Sequence, residues 1–149
     1  MVYNITDFLG NQLKLQPRVE LYQVKDFMGQ TMPGLAIVLD EIGEEPEDIS
    51  QYGVLTVSFG EFIGQKNTAY IDTNNCSFAR QFLDQGVARE TGFYKESGFC
   101  RYPLWEFNPE FLQEHSHGNY EKYENAFDAY MSAAFPEDDE EADMTMEMA

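Results

Sequence analysis

Six carboxylates crowd into nine residues: Asp40, Glu41, Glu44, Glu45, Glu47 and Asp48. No Lys or Arg occurs from Gln30 to Gln65 to answer them. Such a run could coordinate calcium, solvate a loop, or imitate the phosphates of a nucleic acid. The Asp-x-Asp-x-Asp-Gly order of a calcium hand is absent, so specific calcium binding is not expected. A solvated loop that aids solubility is the plain reading. Phosphate imitation is the sharper one, because like charges crowded on one surface cost stability. The acids of a later helical stretch, Glu121, Glu124 and Asp128, could form a second set.

Other residues invite chemistry and then fall short of it. His115-Ser116-His117, preceded by Glu114, offers two imidazoles but no third ligand at a sensible spacing. Two exposed loop histidines are expected, and no metal. Cys76 and Cys100 lie too far apart for a CxxC pattern. Both are expected as buried free thiols rather than activated nucleophiles. Asp72-Thr73-Asn74-Asn75 could hold a carboxylate site, but those side chains also make turns and helix caps, which is the expectation here. Tyr102, Trp105, Phe107 and Phe111, close after Phe99, are expected to be core rather than an exposed groove. There is no phosphate-binding glycine loop and no Gly-x-Ser-x-Gly elbow. Neither a cofactor nor catalysis is expected.

The elements that position these residues follow from periodicity and punctuation. A short helix is predicted around Thr6–Leu9. Val19–Val24 alternates as a half-exposed strand, after a segment ending at Pro17. Phe27–Gly34 reads as a turn and Leu35–Asp40 as a compact apolar strand, with the acidic loop after it. Gly53–Phe59 is the clearest strand, and Thr68–Asp72 is another. Asn75–Gly86 has helical spacing with Gly86 as its stop. Residues 88–99 read as a loop or loose hairpin and Phe99–Phe107 as a strand. Asn108-Pro109-Glu110 opens a short helix. Asn119–Phe135 puts Tyr120, Tyr123, Phe127, Tyr130 and Met131 on one helical face. No internal repeat is evident.

Strand links this short favour antiparallel pairing. The expected class is α+β, a mostly antiparallel sheet with helices on one face. Residues 1–135 form one domain in this reading. Residues 136–149 form an acidic tail, expected to be disordered, with seven acids and no base. The whole chain of 149 residues has 27 acids against nine bases, for a net charge of −18. Without the tail the body is still strongly acidic. Direct binding to nucleic acid or to anionic membranes is therefore excluded on charge. No run approaches the ~18 apolar residues of a membrane span, and the amino terminus has no signal-peptide pattern. The cytoplasm is the expected compartment.

Two stretches carry a likeness. Tyr70-Ile-Asp-Thr-Asn-Asn75, and Thr91-Gly92 with Ser97-Gly-Phe-Cys-Arg-Tyr-Pro-Leu-Trp-Glu-Phe-Asn108, resemble an uncharacterised family of small acidic proteins. Its members are carried on plasmids and conjugative elements of Gram-positive gut bacteria, and the likeness covers about residues 19–114. The resemblance transfers no catalytic residues. It implies a cytosolic accessory protein of a mobile element, a setting in which restriction and CRISPR nucleases must be survived. The expected partner is thus a basic nucleic-acid-binding protein, inhibited without catalysis. The alternative is an accessory module of conjugation or plasmid maintenance that binds through an apolar surface.

Overall fold

Leu15, Val19 and Leu21 alternate with polar residues along one strand, and Leu35, Ile37 and Leu39 share one face of the next, within an apolar run that also holds Ala36 and Val38. In the computed structural model, which describes residues 1–45 and 47–134, these strands are β2 (Gln12–Lys25) and β3 (Thr31–Ile42). They pair antiparallel from Leu15↔Glu41 to Lys25↔Thr31. Cross-strand partners share a face, so the two apolar sets form one continuous surface. β1 (Tyr3–Thr6) joins β2, and β4 (Ile49–Val54) joins β3, giving the order β1-β2-β3-β4. A second sheet holds β5 (Thr56–Val57), β6 (Thr68–Ile71), β7 (Ala88–Ser97) and β8 (Cys100–Phe107) in the order β5-β6-β8-β7. The strand pairings within both sheets are antiparallel.

Of three helices, α1 (Arg80–Asp84) lies between β6 and β7, while α2 (Pro109–Glu114) and α3 (Asn119–Ala134) follow the last strand. Their buried residues Phe82, Phe111, Leu112, Tyr120, Tyr123 and Phe127 join Leu15, Val19, Ile37 and Trp105 in one core. The class is α+β with antiparallel sheets, as expected. The sheet, however, is split in two. Leu55 is the point of division: its N–H donates to the Ile37 carbonyl at 2.8 Å and its carbonyl accepts from Asp72 N–H at 2.8 Å. Being fully buried and bonded to both sheets, it breaks the strand predicted over Gly53–Phe59. The tail at 136–149 lies outside the described residues.

Other expectations need correction. Thr6–Leu9 is not helical but the end of β1 and a turn. Pro17 does not end a segment and instead sits inside β2. It shares its orientation with Val19, whose N–H points away from β3 to the His115 carbonyl at 2.9 Å, so the proline forfeits no bond to β3. The helix predicted over Asn75–Gly86 shrinks to α1, because Asn75 is bound into a turn by Asp72 rather than capping. Residues 88–97 form a full strand. The turn predicted over Phe27–Gly34 is shorter, since β3 begins at Thr31.

A five-residue unit also recurs, contrary to expectation. Asp7-Phe8-Leu9-Gly10-Asn11 links β1 to β2, and Asp26-Phe27-Met28-Gly29-Gln30 links β2 to β3. In each, the Asp Oδ1 accepts two N–H bonds, from Leu9 and Asn11 at 3.0 and 2.7 Å, and from Met28 and Gln30 at 2.9 and 2.7 Å. Gly10 and Gly29 take φ of 89° and 83°, a left-handed geometry that disfavours a side chain. The apolar pairs at the tips, Phe8-Leu9 and Phe27-Met28, are exposed.

Candidate acidic interaction surface

Asp40 and Glu41 belong to β3, and only Glu44, Glu45, Glu47 and Asp48 lie in the connection to β4. The loop read over 40–48 is therefore a tighter hairpin. Gly43 N–H donates to the Asp48 carbonyl at 2.7 Å, and Asp48 N–H to the Glu45 carbonyl at 2.9 Å. The Asp48 carboxylate folds over Gly43, where a Cβ would stand 2.0 Å from its Oδ2. Glycine at 43 thus lets Asp48 lie across the hairpin. Glu44, Glu45, Glu47 and Asp48 are exposed. Among the described residues, none of these four and not Glu41 makes an ion pair.

Asp40 is different. Arg18 Nε reaches its Oδ2 at 2.8 Å, while Nη1 holds Glu20 at 2.7 Å. The hydrogen bonds to Asp40 and then Glu20 raise the affinity of the guanidinium for its proton. The α3 acids are likewise answered. Lys66 Nζ lies 3.1 Å from Glu124 and 3.0 Å from Asp128, leaving Glu121 exposed and without a cation among the described residues. Burial alone would lower the Lys66 pKa, but the bonds to Asp128 and Glu124 outweigh it.

The fold does not bring the hairpin and α3 together. Asn119, at the start of α3, donates to the Val19 carbonyl at 2.8 Å, and Tyr130, near its end, donates to Asp26 at 2.8 Å. The helix thus runs along β2 toward the Asp26 turn. The acidic hairpin lies at the opposite end of β3, about 20 Å beyond Ile37, the partner of Val19.

The remaining candidates have structural explanations. His117 is exposed, but His115 is buried, contrary to expectation. Its ring packs 4.9 Å from Phe111 and 6.2 Å from Tyr3, and its Nε2 has no hydrogen-bond partner. No group of three metal-ligating side chains occurs among the described residues. Cys76 is buried, with Sγ 3.4 Å from the Val54 carbonyl, and burial pushes its thiol up to about 11. Cys100 is only half-buried. Asp72 binds the backbone and side chain of Asn75 at 3.2 and 2.8 Å, as a turn does. Trp105, Phe107 and Phe111 are core, Tyr102 is half-buried, and Phe99 stands fully exposed at the β7–β8 tip.

Residues 23–127 match a family described as a domain of unknown function, DUF4313. The chain belongs to that family. This agrees with the likeness read over residues 19–114 as far as membership in a family of unknown function goes. The DUF4313 match begins inside β2, although β1 and the first half of β2 contribute Tyr3, Ile5, Leu15 and Val19 to the same core. No curated protein and no solved structure matches the chain. No helix among the described residues is long and apolar enough to cross a membrane.

Proposed function

We propose that the protein is an accessory protein of a mobile element, and that it inhibits a nucleic-acid-handling host defence enzyme, such as a CRISPR or restriction nuclease, without catalysis. It acts in the cytoplasm by occupying the basic channel that would hold the nucleic acid. One observation carries this reading. Six of the nine basic residues are spent on ion pairs within the body, yet the acids of the 41–48 hairpin are left without a cation among the described residues. Their field projects outward, where it would steer a basic groove toward the hairpin and release the groove's counterions. The plasmid and conjugative setting rests on the sequence likeness.

The test neutralises the free acids and spares the paired one. The variant Glu41→Gln, Glu44→Gln, Glu45→Gln, Glu47→Gln, Asp48→Asn leaves Asp40 with Arg18. A panel of restriction and CRISPR nucleases is assayed for DNA cleavage with each protein. The wild type should block at least one nuclease with steep salt dependence. The variant should remain folded, lose affinity by orders of magnitude and show a shallower salt slope. A folded variant with full inhibition and the wild-type slope would remove the hairpin from the mechanism. Salt-tolerant binding would favour an apolar surface instead, for which the exposed Phe27, Met28 and Phe99 are the ready candidates.

A further inference from the structure

A sheet of four strands has two edges, and unprotected edges invite another strand to pair. Three of the four edges here are guarded. β1 is four residues long, and Gln81 bonds both the N–H and the carbonyl of Thr6 along its open side. β5 has only two residues. β7 carries Arg89, Glu90, Lys95 and Glu96, and its register breaks between Glu90 and Tyr94.

β4 has only one of these devices, a register shift opposite Leu39 and Asp40 that leaves Tyr52 out of the pairing. Ile49-Ser50-Gln51-Tyr52-Gly53-Val54 contains no charge and no proline. Ile49 and Tyr52 are 52% and 39% exposed. At the far end of β4 Cys76 Sγ meets the Val54 carbonyl, and the Tyr52 ring packs on Phe78 at 5.8 Å. Among the described residues no strand lies beyond it.

The charges around this edge are of one sign. Glu44, Glu45, Glu47 and Asp48 precede it directly, and Glu41 is the register partner of Ser50. Asp72 bonds Leu55, the residue that follows it. The cation that touches β4, Arg18 through Gln51 at 3.2 Å, is already committed to Asp40 and Glu20. A second copy of this chain suits the edge poorly. Antiparallel pairing of β4 with itself would carry the acids before Ile49 of one copy toward Asp72 of the other, between bodies of equal negative charge.

We propose that β4 accepts an extended, Lys/Arg-bearing segment of a partner protein as a fifth strand of the first sheet. Main-chain bonds to Ile49–Gly53 hold the segment, and the acids at both ends select its charge. The occupant's charge rests on the basic-partner reading above, while the open edge does not.

The probe is a ten-residue peptide alternating Val and Lys. Its control has the same sequence with every amide N-methylated, which keeps the charge and removes the N–H groups. Binding to the full chain is measured by fluorescence anisotropy, and amide exchange by NMR. The peptide should slow exchange within Ile49–Gly53 about tenfold or more, and the control should bind at least about tenfold more weakly. Equal binding of the two peptides would overturn the fifth strand while leaving the acidic-surface reading intact. Protection that falls outside β4 would overturn it as well. Concentration-dependent dimerisation without peptide, with protection at β4, would overturn it in favour of self-pairing. Loss of nuclease inhibition in the five-site variant bears on the function alone, because that variant leaves the β4 backbone untouched.

Discussion

Gln81 acts on Thr6 as a neighbouring strand would. Its Oε1 accepts the Thr6 N–H at 2.9 Å and its Nε2 donates to the Thr6 carbonyl at 2.7 Å. One side chain from α1 thereby closes the edge of β1 across 75 residues of sequence. Gln81→Ala should lower stability by about 1–2 kcal/mol, since two part-buried bonds are lost. Gln81→Glu should be at least as harmful, because a carboxylate would face the Thr6 carbonyl. Urea denaturation measures both. A wild-type midpoint for Gln81→Ala would show that the clasp contributes nothing.

Tyr123 is buried and its hydroxyl accepts the Asn67 N–H at 2.9 Å. Asn67 takes φ of 67°, and its Oδ1 accepts from Tyr120 at 3.0 Å. Burial pushes the Tyr123 phenol well above its ordinary pKa. Tyr123→Phe strands a buried N–H and should cost about 1–3 kcal/mol, whereas Tyr120→Phe should cost about 1 kcal/mol. Equal and negligible losses in calorimetry would show that water serves Asn67 as well.

His115 sets a pH dependence. Burial lowers its pKa below the ordinary 6.5, and the amino terminus adds to the effect; Glu114, 3.8 Å away, and the Pro17 carbonyl oppose it. A base held below its unfolded pKa binds fewer protons when folded. Its contribution is complete above about pH 6.5 and is lost as pH falls through the folded value. Stability should therefore decline between pH 7 and 5, and the decline should be shallower in His115→Gln. An identical slope in the two proteins would assign the acid sensitivity to other groups.

The two thiols should separate kinetically. With its pKa near 11, the Cys76 thiol is ionised to about one part in a thousand at pH 8, and it is buried. Cys100, half-buried beside the β7–β8 turn, should label first with a thiol reagent. Cys76 should react only on unfolding. Equal rates for both in native buffer would contradict the burial of Cys76.

Local rules made much of the fold legible. The β8 segment was legible from its aromatic residues, which favour strands, and α3 from helical spacing that puts its apolar residues on one face. Pro109 starts α2, and Gly86, at φ 79°, stands beyond α1, as expected. The helix at Asn75 failed for a local reason too, since Asp72 offered its N–H a turn instead. The repeated Asp-Phe-x-Gly turn was available in the sequence, but five residues are too few to announce themselves as a repeat.

The sequence by itself determined that residues 40–48 carry six acids with no base nearby in the chain, and that no metal-ligand or nucleophile pattern accompanies them. Only the tertiary structure decided which of those acids are free. Arg18 answers Asp40 from 22 residues away, through the β2–β3 register, and Lys66 answers Asp128 from 62 away. The same is true of the open side of β4 and of the burial of His115. Coulomb attraction and burial depend on distance in space, and strand register and helix packing set that distance between residues whose separation in sequence says nothing about it.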